Sequence, residues 1–431
     1  MRLLVLGGGV SGRSAARLAA RLGDEAVIFE TDSDRAEALR ADGFEVFSGP
    51  WSPSLVVGFD RVVASPGLSE SSDPIVDTLA AHVPLVSEIE MASTVLQAPY
   101  AAVTGTNGKT TVTSLIADIL AASGFNVVAA GNIGLGLSDV ADQSWDRVVI
   151  EVSSFQLRFI ESFKPAVAVL LNVADDHLDW HGTSEAYAAA KARIFENAGD
   201  DGVLVFDGDD AGARRLAERA TGQVIAVSGR HAPPGGYGVT DGRLLTMTTS
   251  LDVADLRVMD PAYLLDLTAA AVAAEFLGAS SDAVRKVLQG FEPGKHRRTI
   301  IGTWGGIAWI NDSKATNPHA AVASCQAYPS VVLIAGGRNK GLDLRPIIEV
   351  ASIRYLITLG EAGPQLMEMW DGEGRSVGSM DEAVATAASV AEPGDTVLLA
   401  PGCASFDMFS SYEARGDAFE VAVKTFQGAT A

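Results

Sequence analysis

The sequence predicts an α/β protein of three domains built on parallel sheets, and three observations carry that expectation. Short apolar runs of strand length alternate with Ala/Leu/Arg-rich helical stretches along most of the chain. Such alternation favours parallel strands, because each return to a parallel neighbour needs a crossover, usually a helix. At 431 residues the chain is too long for one hydrophobic core. Two glycine-rich turns, at 7–12 and 104–108, each follow an apolar run and lead into a helical pattern.

The expected domains span residues 1–96, 97–294 and 295–431. The first has strands near 2–6, 26–29, 61–64 and 84–86, with helices such as 13–22 and 33–41. The second has strands near 100–104, 126–130, 147–152 and 166–173. A more β-like, loop-rich region follows at 202–258, then helices near 262–277 and 281–290. The third follows Phe291-Glu-Pro-Gly294, with strands near 307–311, 331–335, 355–359 and 396–400. No internal repeat or low-complexity tail interrupts the pattern.

Apolar content of 48% with 20% charged residues is ordinary for a soluble globular enzyme. Apolar runs such as Val331-Val-Leu-Ile-Ala335 are strand-sized, far short of a membrane span. Met1-Arg-Leu-Leu-Val-Leu6 runs into glycines and reads as a first strand, not a signal peptide. Two cysteines, Cys325 and Cys403, suit a reducing compartment, so a cytoplasmic protein is expected, and a monomer. A formal charge of −22 disfavours nucleic acid and anionic membranes as partners. Of only eight lysines, Lys109, Lys191, Lys314 and Lys340 fall inside the motifs below. An acidic protein that binds polyanions must gather its cations locally.

The most informative stretch is Thr104-Gly-Thr-Asn-Gly-Lys-Thr-Thr111, between the apolar Tyr100-Ala-Ala-Val103 and a helical pattern. Gly105 and Gly108 permit backbone angles that let successive N–H groups point inward at phosphate oxygens. A helix starting near Lys109 adds its positive end. Lys109 then reaches the β/γ-phosphates and Thr110 ligates Mg²⁺. Gly105, Thr106, Asn107, Gly108, Lys109, Thr110 and Thr111 are the expected ATP loop. Val103 stands where the full G-x-x-x-x-G-K-[ST] pattern has its first glycine, so the loop is a shortened variant.

In the first domain Gly7, Gly9 and Gly12 fit G-x-G-x-x-G, and Glu30 ends the next strand where a dinucleotide fold keeps its ribose acid. This spacing supports a Rossmann-like unit and a diphosphate-bearing ligand without specifying nicotinamide; tight strand–helix packing alone also favours such glycines.

In a parallel sheet, ligands collect beyond the C-terminal strand ends. Asn132 follows the strand ending near Ala130, Glu151 ends Val148-Val-Ile-Glu151, and His177 lies past the strand at 166–171. Glu151 is a candidate Mg²⁺ ligand. Singly, Glu151 reads as a turn cap and His177 as a satisfied loop histidine; together with Lys109 and Thr110 they suggest a metal–phosphate site. Lys191 shares a helical stripe with Tyr187, Ile194, Phe195 and Ala198. A lysine on such a face ordinarily snorkels to solvent. The alternative is a lysine held in the site, where a lowered pKa would permit reaction with CO₂ to a carbamate able to ligate a second Mg²⁺.

These residues resemble the Mur ligase family, the ATP-dependent amide ligases of peptidoglycan synthesis. The similarity runs through the Gly-Thr-Asn-Gly-Lys-Thr loop, Gly131-Asn-Ile-Gly134, Glu151-Val-Ser-Ser-Phe-Gln156, Asp176-His177 and Ala190-Lys-Ala-Arg193. It continues through His296-Arg297, Asn311-Asp-Ser-Lys-Ala-Thr-Asn317 and Pro401-Gly-Cys-Ala-Ser-Phe-Asp407. The Asp-Ser-Lys-Ala-Thr-Asn string is similar to that of the member adding D-glutamate to UDP-N-acetylmuramoyl-L-alanine. The resemblance implies a Rossmann-like first domain, a P-loop ATPase-like second domain and a Rossmann-like third. It implies that Thr110 and Glu151 hold one Mg²⁺, and His177 with carbamylated Lys191 a second. Arg297 and Asp312 would contact ATP; Lys314, Thr316, Lys340, Ser405 and Tyr412 would bind D-glutamate. Ser11, Glu30, Thr31 and Asn132 would serve the UDP-substrate.

One departure stands out. The family's His-Asn-x-x-Asn pattern aligns with Ala262-Tyr-Leu-Leu-Asp266, so Asp266 replaces an asparagine that faces the adenine. Other readings are an amide ligase for another amino acid or for folate, an NAD-dependent oxidoreductase resting on the glycines at 7–12, and a non-enzymatic P-loop module.

Overall fold

In the first strand, Leu3 and Val5 pack into one apolar cluster while Leu4 and Leu6 pack into another. A strand buried on both faces needs helices above and below it, the arrangement of a doubly wound parallel sheet. A computed structural model of the chain describes residues 1–430 and contains three such sheets.

The first sheet has five parallel strands in the order Glu45–Ser48, Glu25–Glu30, Arg2–Leu6, Arg61–Ala64, Leu85–Ser87. The second has nine, in the order Ser250–Asp252, Arg243–Leu245, Tyr237–Thr240, Gln223–Ser228, Val203–Asp207, Val167–Leu170, Tyr100–Thr104, Arg147–Glu151, Val127–Gly131. Its last three in chain order, within the region read as β-like, join by antiparallel hairpins. The third has six strands, with the antiparallel Thr299–Trp304 at one edge beside Ile307–Asn311, followed by Thr396–Gly402, Val331–Gly336, Ile353–Leu359 and Gly374–Ser376. The α/β expectation holds throughout. Glu45–Ser48, Thr299–Trp304 and Gly374–Ser376 were not among the expected strands; all lie at sheet edges, and Gly374–Ser376 is short with no apolar side chain.

The chain forms two compact units, 1–173 with 180–291, and 174–179 with 292–431. Within the first unit, one apolar cluster includes Leu3, Val5 and Ile28 of the first sheet and Ala102, Val148, Ile150 and Leu170 of the second. Ion pairs Arg17–Asp139 (2.8 Å) and Arg21–Asp142 (2.7 Å) join the same two layers. The helix Pro261–Phe276 is buried from Leu264 to Glu275 and packs on Lys109–Ala122. That burial suits its Ala/Leu-rich sequence, interrupted within the buried stretch by Asp266, Thr268 and Glu275.

Candidate active site

Tyr100–Thr104 lies inside the second sheet, between Val167–Leu170 and Arg147–Glu151, so its C-terminal end opens among neighbouring strand ends. The chain leaves it as a loop and enters Lys109–Ala122 through Gly108, whose φ is +85°. A Cβ there would lie 2.6 Å from an Asp266 carboxylate oxygen and 2.9 Å from Leu171, so glycine is required by both angle and space. Asn172, just past the next strand, anchors the loop: its carbonyl accepts from the Thr106 N–H (2.8 Å) and its Oδ1 from the Asn107 N–H (2.8 Å). Lys109 folds back to donate to the carbonyls of Gly105 (2.9 Å) and Thr106 (3.0 Å). A lysine so placed shares the loop that an anion would occupy.

Lys191 donates to the same Gly105 carbonyl (2.8 Å), is 1% exposed, and lies 4.5 Å from the Tyr187 ring centroid. Its helix face is apolar, as the stripe predicts, but the ammonium does not snorkel: a carbonyl and an aromatic face hold it inside. The Tyr187 hydroxyl pairs with Thr106 Oγ1 at 3.1 Å, tying the lysine's helix to the same glycine-rich loop.

Glu151 is 2% exposed; one carboxylate oxygen accepts from Asn132 Nδ2 (2.8 Å) and the other is buried without a hydrogen-bond partner. An orphaned carboxylate oxygen at a strand end fits a cation ligand. Among the described residues no cluster of three or more His, Cys, Asp or Glu side chains could hold a metal. Mg²⁺ needs none, since it takes one or two protein oxygens and completes its shell with phosphates and water. Asn132 therefore stands with Glu151 on the second sheet. A cavity of about 450 Å³ on the first sheet is lined by Gly7, Ser11, Glu30, Thr31, Arg35 and Ser65, among others. There Glu30 accepts from the N–H groups of Gly8 and Asp32 (both 3.0 Å) and from Arg35 (3.2 Å). Burial raises its carboxyl pKa, but those donors outweigh it and hold the group below its ordinary value. A Cβ on Gly12 would sit 1.9 Å from the Gly7 carbonyl, so that glycine serves packing as well.

In the second unit, Asp176 accepts from Lys340 (3.3 Å) and Asn317 (3.4 Å). Burial raises its pKa, yet Lys340 and His177 together bring it below the ordinary aspartate value. His177 has a φ of +53°, and His296 and Arg298 also adopt positive φ, at +60° and +49°. Non-glycine residues hold such angles only where their surroundings compel them. Asp312 accepts from the Arg298 N–H (3.3 Å); burial pushes its carboxyl above the usual range, opposed by the Arg298 charge. Arg297 is half-buried beside them. Lys314 donates to the Tyr412 hydroxyl (3.1 Å), Thr316 Nα donates to the Lys314 carbonyl (2.9 Å), and Ser405 is 2% exposed. Sequence reasoning passed over Asn172, Tyr187 and Arg35. The position of Asn172 at a strand end, like Asn132 and Glu151, was the signal available.

The pattern of the Mur ligase middle domain matches residues 103–232, and that of the Mur ligase, glutamate ligase domain matches 296–403. A UDP-N-acetylmuramoylalanine--D-glutamate ligase of Salinibacter ruber is 38% identical over 98% of this chain and 98% of its own. The chain belongs to the Mur ligase family. A second relative of the same name, from Frankia casuarinae, is 39% identical over 99% of this chain and 94% of its own. In structure the chain is similar to a MurF ligase of Thermotoga maritima solved in complex with ADP. The TM-score is 0.61 at 17% identity, over 94% of this chain and 96% of that one, a likeness of fold. A pattern described as the alanine dehydrogenase/PNT C-terminal domain matches only residues 1–49, the first three strands and first two helices of the chain. Mur ligases are ATP-dependent, amide-forming enzymes, and this chain is one of them.

Proposed function

We propose that this enzyme adds D-glutamate to UDP-N-acetylmuramoyl-L-alanine, consuming ATP, in cytoplasmic peptidoglycan precursor synthesis. End-to-end similarity to ligases of that name supports the choice of substrates. The observation that carries the chemistry is the phosphate loop beside Glu151, whose second oxygen is buried without a partner. Two buried free cysteines suit the cytoplasm, and no helix among the described residues is long and apolar enough to cross a membrane.

A carboxylate is a poor electrophile, so it must be activated. Its oxygen attacks the γ-phosphorus of ATP, the bond to the bridging oxygen breaks, and ADP leaves. The neutral amine of D-glutamate attacks the acyl phosphate, and the tetrahedral intermediate expels phosphate while the nitrogen loses a proton. Spread phosphoryl charge calls for cations and N–H dipoles, with no covalent nucleophile. Gly105, Thr106, Asn107, Gly108, Lys109, Thr110 and Thr111 are assigned to the ATP phosphates. Arg297, Asp312 and Asp266 are assigned to the same nucleotide. Thr110 and Glu151 would hold Mg²⁺, and His177 with Lys191 as its carbamate a second, supplying charge neutralisation at the transferring phosphoryl group. Ser11, Glu30, Thr31 and Asn132 are assigned to the UDP-substrate; Lys314, Thr316, Lys340, Ser405 and Tyr412 to D-glutamate. Burial and Glu413 push the Tyr412 phenol up to about 12, which keeps it a neutral donor beside Lys314.

The test is phosphate release with ATP, UDP-N-acetylmuramoyl-L-alanine and a panel of amino acids. Release should require D-glutamate. Activity with L-glutamate or meso-diaminopimelate but not D-glutamate would defeat the substrate assignment, and nicotinamide-dependent turnover would revive the oxidoreductase reading.

A further inference from the structure

Arg415, in the first turn of the helix Tyr412–Thr430, is 2% exposed. Its Nε donates to Ser313 Oγ (3.0 Å), Nη2 to the Ser313 carbonyl (2.9 Å) and Nη1 to the Cys403 carbonyl (3.0 Å). Ser313 Oγ in turn donates a hydrogen bond to the Tyr412 carbonyl at 2.8 Å. One guanidinium thus joins the loop 312–317, the loop 401–407 and the start of the last helix. A third loop closes over it. Arg338 and Ala404 exchange backbone hydrogen bonds of 2.8 and 3.0 Å, and a Cβ on Gly337 would lie 2.2 Å from the Ala404 carbonyl and 3.2 Å from Nη1. Gly402 also donates to the Ala315 carbonyl at 2.8 Å.

These segments carry Lys314 and Thr316, Lys340, Ser405, and Tyr412 in turn. Burial pulls the guanidinium pKa down to about 10, and all three of these hydrogen bonds end on neutral oxygens. A buried cation whose hydrogen bonds end on neutral oxygens, with only the weaker pull of Cys403 and Asp407 to favour its charge, is an expensive way to add stability. Its planar fork nevertheless holds three acceptors in fixed directions, which a lysine's point charge cannot do.

We infer that Arg415 is the positioning residue of the amino-acid subsite, setting the mutual placement of the loops that bear Lys314, Thr316, Lys340 and Ser405 without itself touching the amino acid. The inference rests on the proposed assignment of those residues to D-glutamate. It is tested on the full chain with R415K, which keeps the charge but loses the fork, and with S313A, which removes only the hydroxyl relay. Hydrogen exchange of the amides at 312–317 and 401–407 should quicken in both variants, more in R415K, while the first unit is unchanged. KM for D-glutamate should rise about tenfold or more in R415K, with KM for ATP and the UDP-substrate within about twofold, as small misplacements of binding groups produce. Unchanged exchange, or equal rises in all three KM values, overturns the inference. Should R415K fail to fold, S313A decides by the same readouts. A wild-type enzyme that uses another amino acid defeats the substrate assignment alone, since the exchange comparison still judges Arg415.

Discussion

Lys191 departs from the ordinary behaviour of a helical lysine, which snorkels to solvent. An ammonium at 1% exposure, held by the Gly105 carbonyl and the Tyr187 ring, has lost most of its hydration. The neutral amine is the form of a lysine that reacts with CO₂. With Lys191 serving as the proposed carbamate, Lys191→Ala should lose activity by on the order of 100-fold or more, and short carboxylates such as acetate should restore part of it. Full activity of Lys191→Ala without additive would remove Lys191 from the chemistry. Its apolar stripe could be read from spacing; the carbonyl that holds it lies 86 positions away and could not. Asp266 makes the complementary case. Its identity is plain in the sequence, but only the fold shows its carboxylate against Gly108, next to the phosphate loop.

At the scale of elements, the helix Glu88–Ser93 spans only six residues yet joins the first two sheets. Glu90 accepts from the N–H groups of Ser162 (2.8 Å) and Phe163 (2.9 Å), and Glu88 from the Ser138 N–H (2.6 Å). Glu88 is 1% exposed, its second oxygen has no hydrogen-bond partner, and burial pushes its carboxyl up to about 7 against the Ser138 hydrogen bonds, with Asp139 adding to the rise. Because the folded-state pKa is raised, this group's contribution to stability is complete below pH 4.5 and is lost as pH rises to about 7. The loss is on the order of 3 kcal/mol. Glu88→Gln keeps the acceptor and removes the charge. Its denaturation midpoint should exceed wild type at pH 8 and match it near pH 4.5. Parallel pH profiles for the two proteins would exclude Glu88 as the cause. Nothing in Leu85-Val-Ser-Glu-Ile-Glu90 announces buried carboxylates, because glutamate ordinarily faces water.

Over the whole molecule, a charge of −22 opposes the approach of polyanionic substrates that the local cations must then hold. Long-range repulsion is screened within a Debye length of about 10 Å at 0.1 M salt. Raising salt from roughly 20 to roughly 150 mM at fixed Mg²⁺ should therefore lower KM for the UDP-substrate about twofold. A rise would show that the local cations dominate at long range as well.

Alternating apolar strands and amphipathic helices were enough to specify parallel sheets and glycine-bearing turns at strand ends, because periodicity and backbone sterics are local properties. They placed Lys109 and Thr110 beyond the C-terminal end of one strand, and Glu151 at the end of another, for the same reason. Which strands became neighbours was settled only by the tertiary structure, and with it the gathering of Asn172, Tyr187 and Lys191 on one glycine-rich loop. The same holds for Arg415, which meets Ser313 across 102 positions of sequence. Buried polar groups choose partners by distance in space, and distance in space is fixed when the core closes.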